Sequence, residues 1–281
     1  MLRLAALVFT SLALVASSAA DGGGGPAPGA VTGWDGALAP GGTIRYVAMP
    51  TGSMTAVAAV HVRTGRVERY ASIRGTYGIP LVAYDGSTGG VSADGGTLVL
   101  SSFTGAPRPG AVTRFAVLST KRLKRERLLE LRGSWSFDAL SPDGRLLYAV
   151  EYLGTGQNAR YRVRAVDLTS GRLLAGSIAD SKEAAGEMRG YPVTRATSSG
   201  GGWAYTLYAK PDGAAFVHAL DTRRRKAVCV DLPWRGVGNA IEDVRMAVSG
   251  RSLILKQRGS RLAAIDTRAF LVRSFRRPAA P

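Results

Sequence analysis

A unit of about fifty residues recurs five times along this chain, and that recurrence restricts the fold more than any other feature of the sequence. Its first half is a small or polar turn followed by an apolar strand. Copies stand at Ala39–Val47, Ser92–Leu100, Ser141–Val150, Ser198–Tyr205 and Ser249–Leu255, with starts 53, 49, 57 and 51 residues apart. The second half is an apolar strand, a turn and another strand. Its copies begin at Ala59-Val60-His61-Val62, Phe115-Ala116-Val117-Leu118, Ala165-Val166-Asp167-Leu168, Ala219-Leu220-Asp221-Thr222 and Ala264-Ile265-Asp266-Thr267.

The residue types within each copy explain its shape. Asp-Gly and Gly-Gly steps supply the positive φ of a tight hairpin, and the Asp-Thr and Thr-Gly steps cap the following turn with a side-chain oxygen. The flanking runs are apolar or alternating, as strands packed between sheets are. Each unit then holds about four short strands, and a lone four-stranded sheet cannot hide both faces. Packing the sheets face to face around an axis solves that and leaves only short edges. The expected fold is therefore all-β, a propeller of about five four-stranded antiparallel blades. Six blades, or a two-sheet sandwich of similar strand count, are the alternatives. Taking Val31–Leu38 as the inner strand of the first blade and residues 271–276 as the outer strand of the last, each blade is complete in sequence. Closure then rests on face packing between the first and last blades.

One stretch also carries a likeness. Ser141-Pro142-Asp143-Gly144-Arg145-Leu146-Leu147-Tyr148, followed by Ala165-Val166-Asp167-Leu168-Thr169-Ser170-Gly171-Arg172-Leu173, resembles one blade of the bacterial YVTN-type or WD-repeat-like β-propellers. The units together cover residues 31–277. The resemblance implies the fold and says almost nothing of activity, because propellers host many unrelated functions. The Gly-His and Trp-Asp dipeptides of eukaryotic WD repeats are missing from the expected positions.

The first thirty residues read differently. Arg3, the uncharged run Leu4–Ala16 and the small residues Ser17–Ala20 have the three parts of a cleavable export signal over residues 1–20. The run is short for spanning a bilayer core of about 30 Å, so no stable membrane insertion is expected once the signal is removed. Residues 21–30 (DGGGGPAPGA) form a Gly/Pro-rich linker, and residues 31–277 form a single propeller domain. The chain is thus expected outside the cytoplasm, secreted or associated with the cell envelope, as a monomer. Its one cysteine, Cys229, excludes an intrachain disulfide and sits in an apolar strand as a small core residue. The formal net charge is +17, mostly scattered arginine, with clusters at Lys121–Arg125 and Arg223–Lys226. Such a balance attracts anionic polymers. An exported chain without a recognition-helix pattern is not expected to bind nucleic acid.

Catalytic, cofactor and metal motifs do not emerge: no Gly-x-Ser-x-Gly elbow, His-Glu-x-x-His pair or Walker loop is present. His61 and His218 fall in units too far apart to meet, and no metal or cofactor is expected. The segments leading into each inner strand should line the mouth of the central channel. They bring Trp34, Asp35, Asp85, Trp135, Asp138, Arg195, Asp243 and Arg245 there. From these we take Trp34, Asp35, Trp135, Asp138, Arg195, Asp243 and Arg245 as candidate binding residues. Two of the acids at about 5 to 10 Å would suit glycosidic acid/base chemistry. Turn-capping aspartates and blade-filling aromatics explain the same residues without chemistry. Three readings follow: a non-enzymatic binding or scaffold protein for a protein or cell-envelope ligand, a glycosidase- or lactonase-like hydrolase at the channel mouth, and an anionic-polymer binder. The first is preferred.

Overall fold

The computed structural model describes residues 29–103, 110–154, 160–183 and 186–279. The expected export signal, residues 1–20, and the expected linker up to residue 28 lie outside the described residues.

Five antiparallel sheets follow one another along the chain. Blade 1 is β2 (Ala37–Leu38), β3 (Ile44–Thr51), β4 (Met54–His61) and β5 (Val67–Arg74). Blade 2 is β6 (Tyr77–Pro80), β7 (Thr97–Ser102), β8 (Val112–Ser119) and β9 (Lys124–Arg132). Blade 3 is β10 (Ser134–Leu140), β11 (Leu146–Leu153), β12 (Arg160–Asp167) and β13 (Met188–Arg189). Blade 4 is β14 (Tyr191–Thr197), β15 (Trp203–Ala209), β16 (Ala215–Asp221) and β17 (Lys226–Asp231). Blade 5 is β18 (Val244–Ser249), β19 (Ser252–Gln257), β20 (Ser260–Asp266) and β21 (Val272–Ser274). The chain is a five-bladed β-propeller.

The repeat has a hydrogen-bond basis. In blades 2, 3 and 4 the first turn opens on a serine whose Oγ accepts the N–H five residues on: Thr97 to Ser92 at 3.0 Å, Leu146 to Ser141 at 2.9 Å and Trp203 to Ser198 at 3.0 Å. In the first two, that hydroxyl donates to the aspartate two positions later. A single backbone bond then ties the turn after the third strand to the turn after the first, once in every blade. The donors are Val62, Thr120, Leu168, Thr222 and Thr267, and the acceptors Thr43, Gly96, Arg145, Gly202 and Arg251. The two halves of the repeat are therefore neighbours at one end of every blade.

Blades join through apolar faces. Separate buried clusters fill the seams between blades 1 and 2, 2 and 3, 3 and 4, and 4 and 5. Among the described residues no such cluster spans blades 5 and 1. The free face of blade 1 buries Val47, Ala58 and Val60, but leaves Leu38, Met49, Val67 and Tyr70 exposed. The expectation of closure by packing between first and last blades is corrected here.

The entry of the chain also differs from expectation. Val31–Leu38 is not one strand. β1 (Ala30–Val31) pairs with Ile79 and Pro80 on the inner edge of blade 2, whereas Ala37–Leu38 pairs with β3 in blade 1. The turn between them, with Gly33 at φ 68°, lets one short segment serve two sheets. β1 also takes in Ala30, the last residue of the stretch read as linker.

Candidate functional site

The connection from β6 to β7 does not stay at the rim; it crosses the channel. The Tyr84 and Asp85 N–H groups donate to the carbonyls of Pro192 and Val193 in blade 4, both at 3.1 Å. Those carbonyls are offered by a bulge in β14 between Pro192 and Thr194, which breaks the ladder and turns backbone groups inward. Thr88 Oγ1 donates to the Gly36 carbonyl beside blade 1 at 3.1 Å. Asp85 Oδ2 lies 3.9 Å from Arg245 Nε of blade 5. Glycine is required where the loop runs under its neighbours. A Cβ on Gly89 would lie 2.5 Å from the Phe137 ring, and Gly90 adopts φ +106° against the Val99 carbonyl. Residues 81–90 are thus an internal plug touching every other blade, and they supply cross-ring contacts that the seam between blades 5 and 1 lacks.

Below the plug lies a cavity of about 870 Å³. Blade 1 contributes Asp35–Pro40 and Arg45, the plug and first turn of blade 2 contribute Asp85–Ala93, blade 3 Phe137–Leu140, and blade 4 Arg195, Thr197–Ser199 and Gly201. The cavity opens at the end where the turns after the first and third strands lie.

The expected site residues divide. Asp35, Asp138 and Arg195 line the cavity. Asp138 is the extra residue of a bulge in β10 between Phe137 and Ala139, and this turns its side chain toward blade 4. Arg195 reaches across the seam with one guanidinium nitrogen on the Asp138 carbonyl, at 3.0 Å, and another on the carboxylate Oδ1. Both side chains are buried, at 8% and 2% exposure. Asp138 Oδ2 and Arg195 Nε have no hydrogen-bond partner. Trp34 stands outside, half exposed, with the Arg45 guanidinium 5.0 Å above its ring. Arg245 meets the plug through Asp85, and its Nη1 donates to the Glu242 carbonyl at 2.7 Å.

Two expectations are corrected. Trp135 does not face the mouth: it is buried between blades 2 and 3, and its indole N–H donates to the Arg132 carbonyl at 2.9 Å. Asp243 also lies elsewhere, in a surface ion pair with Arg258 at 2.7 Å, following the short 3-10 helix Gly238–Asp243. Three of the acids meet arginines. Asp138 is held by Arg195, Asp85 faces Arg245, and Asp243 faces Arg258. Among the described residues no three His, Cys, Asp or Glu side chains gather as metal ligands.

Sequence reasoning missed the plug, its partners and the glycine-lined wall. The run Asp85-Gly86-Ser87-Thr88-Gly89-Gly90 reads as an ordinary turn, and backbone bonds to a distant strand leave no side-chain signature.

No family model matches this sequence, and no curated protein matches it. Solved structures do. The chain is similar to a functionally unknown protein from Desulfotomaculum acetoxidans at 12% identity, covering 85% of this chain and 68% of that one, with TM-score 0.50. It is also similar to the β-propeller domain of Cps50 (Swd1) from Myceliophteria thermophila at 13% identity, covering 84% and 65%, with TM-score 0.49. TolB from Acinetobacter baumannii matches at 10% identity, covering 84% and 52%, with TM-score 0.45. Likeness at this level is a likeness of fold alone. Among the described residues no helix is long and apolar enough to cross a membrane.

Proposed function

We propose that this chain is an exported, non-enzymatic binding protein that takes an anionic cell-envelope ligand at the cavity end of the propeller. The observation that carries the reading is the coincidence of cavity and charge. The turns after the third strands lie at the cavity end, and two of them hold the basic runs Lys121–Arg125 and Arg223–Lys226. Within the cavity the buried carboxylates of Asp138 and Asp85 each face an arginine. Basic turns at the same end as the cavity draw anions toward that end. Asp138 Oδ2 is left as an acceptor for a hydroxyl or amide of the ligand, and an unpaired buried acceptor gains from such a partner. Export through residues 1–20 puts the protein where envelope polymers are.

The test is co-sedimentation of the purified protein with isolated cell walls of its native host. Raising NaCl from 50 to 500 mM should reduce the bound fraction at least tenfold, because exposed charge pairs are screened over about a Debye length. Thr197 is exposed and lines the cavity. Thr197→Trp should lower binding at 50 mM NaCl at least tenfold and leave the melting temperature unchanged. Binding that is insensitive to salt, or undiminished in the tryptophan variant, overturns the reading.

A further inference from the structure

Three soft donors meet in the seam between blades 3 and 4, away from the cavity. His218 on β16 and Cys229 on β17 are direct cross-strand partners, so their side chains leave the sheet on the same face. Met188 on β13 comes toward them from blade 3. Cys229 Sγ lies 3.9 Å from Met188 Sδ and 3.8 Å from His218 Nδ1. His218 is 1% exposed and Met188 2%. His218 Nε2 has no hydrogen-bond partner. Cys229 alone is half-buried and gives an approach from solvent.

Those separations have a geometric meaning. A three-coordinate planar ion with metal–sulfur bonds of about 2.3 Å and a metal–nitrogen bond of about 2.0 Å holds its sulfurs about 4.0 Å apart, and sulfur and nitrogen about 3.7 Å apart. The Cys229–Met188 and Cys229–His218 separations are close to those values. We propose that Met188, His218 and Cys229 form a binding site for a single cuprous ion, Cu(I).

Ligand type selects the ion. Thiolate and thioether together favour Cu(I), whereas zinc sites draw on thiolate, imidazole and carboxylate. Charge does not decide between them, because the buried Asp180 carboxylate accepts the Cys229 N–H at 2.8 Å and adds negative charge beside the site. Binding converts the Cys229 thiol to a copper-bound thiolate, and its proton leaves to solvent.

The experiment is an anaerobic titration of the full chain with Cu(I) in competition with bicinchoninate, read by the colour of the chelator complex. One Cu(I) per chain is expected, and a tenfold excess of Zn(II) should not displace it. X-ray absorption at the copper edge should report two sulfurs and one nitrogen. Cys229→Ser should weaken binding at least a hundredfold and Met188→Leu at least tenfold. Both changes are close in volume, and circular dichroism checks that the fold is kept. His218→Gln should weaken binding as well, but the proposal does not depend on that variant folding. Absence of competitive copper uptake, affinity unchanged in Cys229→Ser or Met188→Leu, or displacement by zinc would each overturn the proposal.

Discussion

Arg195→Ala is expected to lower the free energy of unfolding by about 3–5 kcal/mol, the range found when one partner of a buried ion pair is removed. The size follows from where the pair sits. Asp138 is 2% and Arg195 8% exposed, and the guanidinium also holds the Asp138 backbone carbonyl. Removing the arginine strands a carboxylate in the seam between blades 3 and 4, beside the buried ring of Tyr208. An exposed pair such as Arg114–Glu130, with both partners about half accessible, should cost less than about 1 kcal/mol on the same change. Replacing both members of the buried pair, as Asp138→Leu with Arg195→Met, should cost much less than Arg195→Ala alone. Urea unfolding of the single and double variants measures this. Additive losses would mean that the two groups are not coupled.

Trp135→Ala should be comparably severe, at about 3–5 kcal/mol for an aromatic truncated in a packed core. A chain of this size loses roughly 2–4 °C per kcal/mol, so the melting temperature should fall by about 10 °C. Trp135 is 2% exposed and packs with Phe115, Leu129 and Leu147 in the seam between blades 2 and 3. Envelope binding by the protein that remains folded should be unchanged, since the side chain does not reach the cavity. Trp34 is the contrast. It is 50% exposed and covered only by Arg45, so Trp34→Ala should cost under about 1 kcal/mol. Calorimetric melts of the two variants decide between a packing role and a surface role for each ring.

The two tryptophans show where sequence reading stops. Both fall in segments that the sequence reads as leading into an inner strand, and both stand beside a small residue, so position in the repeat cannot separate them. What separates them is the neighbouring blade, which covers one and not the other. The blade itself was legible because its determinants are local: a serine accepting an N–H five residues on, an aspartate two positions later, and glycine where φ is positive. The pairing of His218 with Cys229 follows from one hairpin, Thr222–Arg225, and its register. Met188 had no local signal, since it arrives from another blade. The plug was invisible for the same reason. Its bonds are made by backbone groups of Tyr84 and Asp85 to carbonyls more than a hundred residues on, and the glycines that permit it resemble those of any turn. Asp138 and Arg195 were legible as channel-mouth residues, but their pairing depended on a bulge that no spacing rule predicts.

The claim that the cavity end is the ligand end has a direct test in site-specific photo-crosslinking. A benzophenone amino acid at Ser199 lies on the cavity wall. The same probe at Ser53, in the turn between β3 and β4, lies at the opposite end of blade 1. Irradiated on intact cell walls at low salt, the Ser199 probe should capture envelope polymer and the Ser53 probe should not. Capture at Ser53 with none at Ser199 would contradict the account.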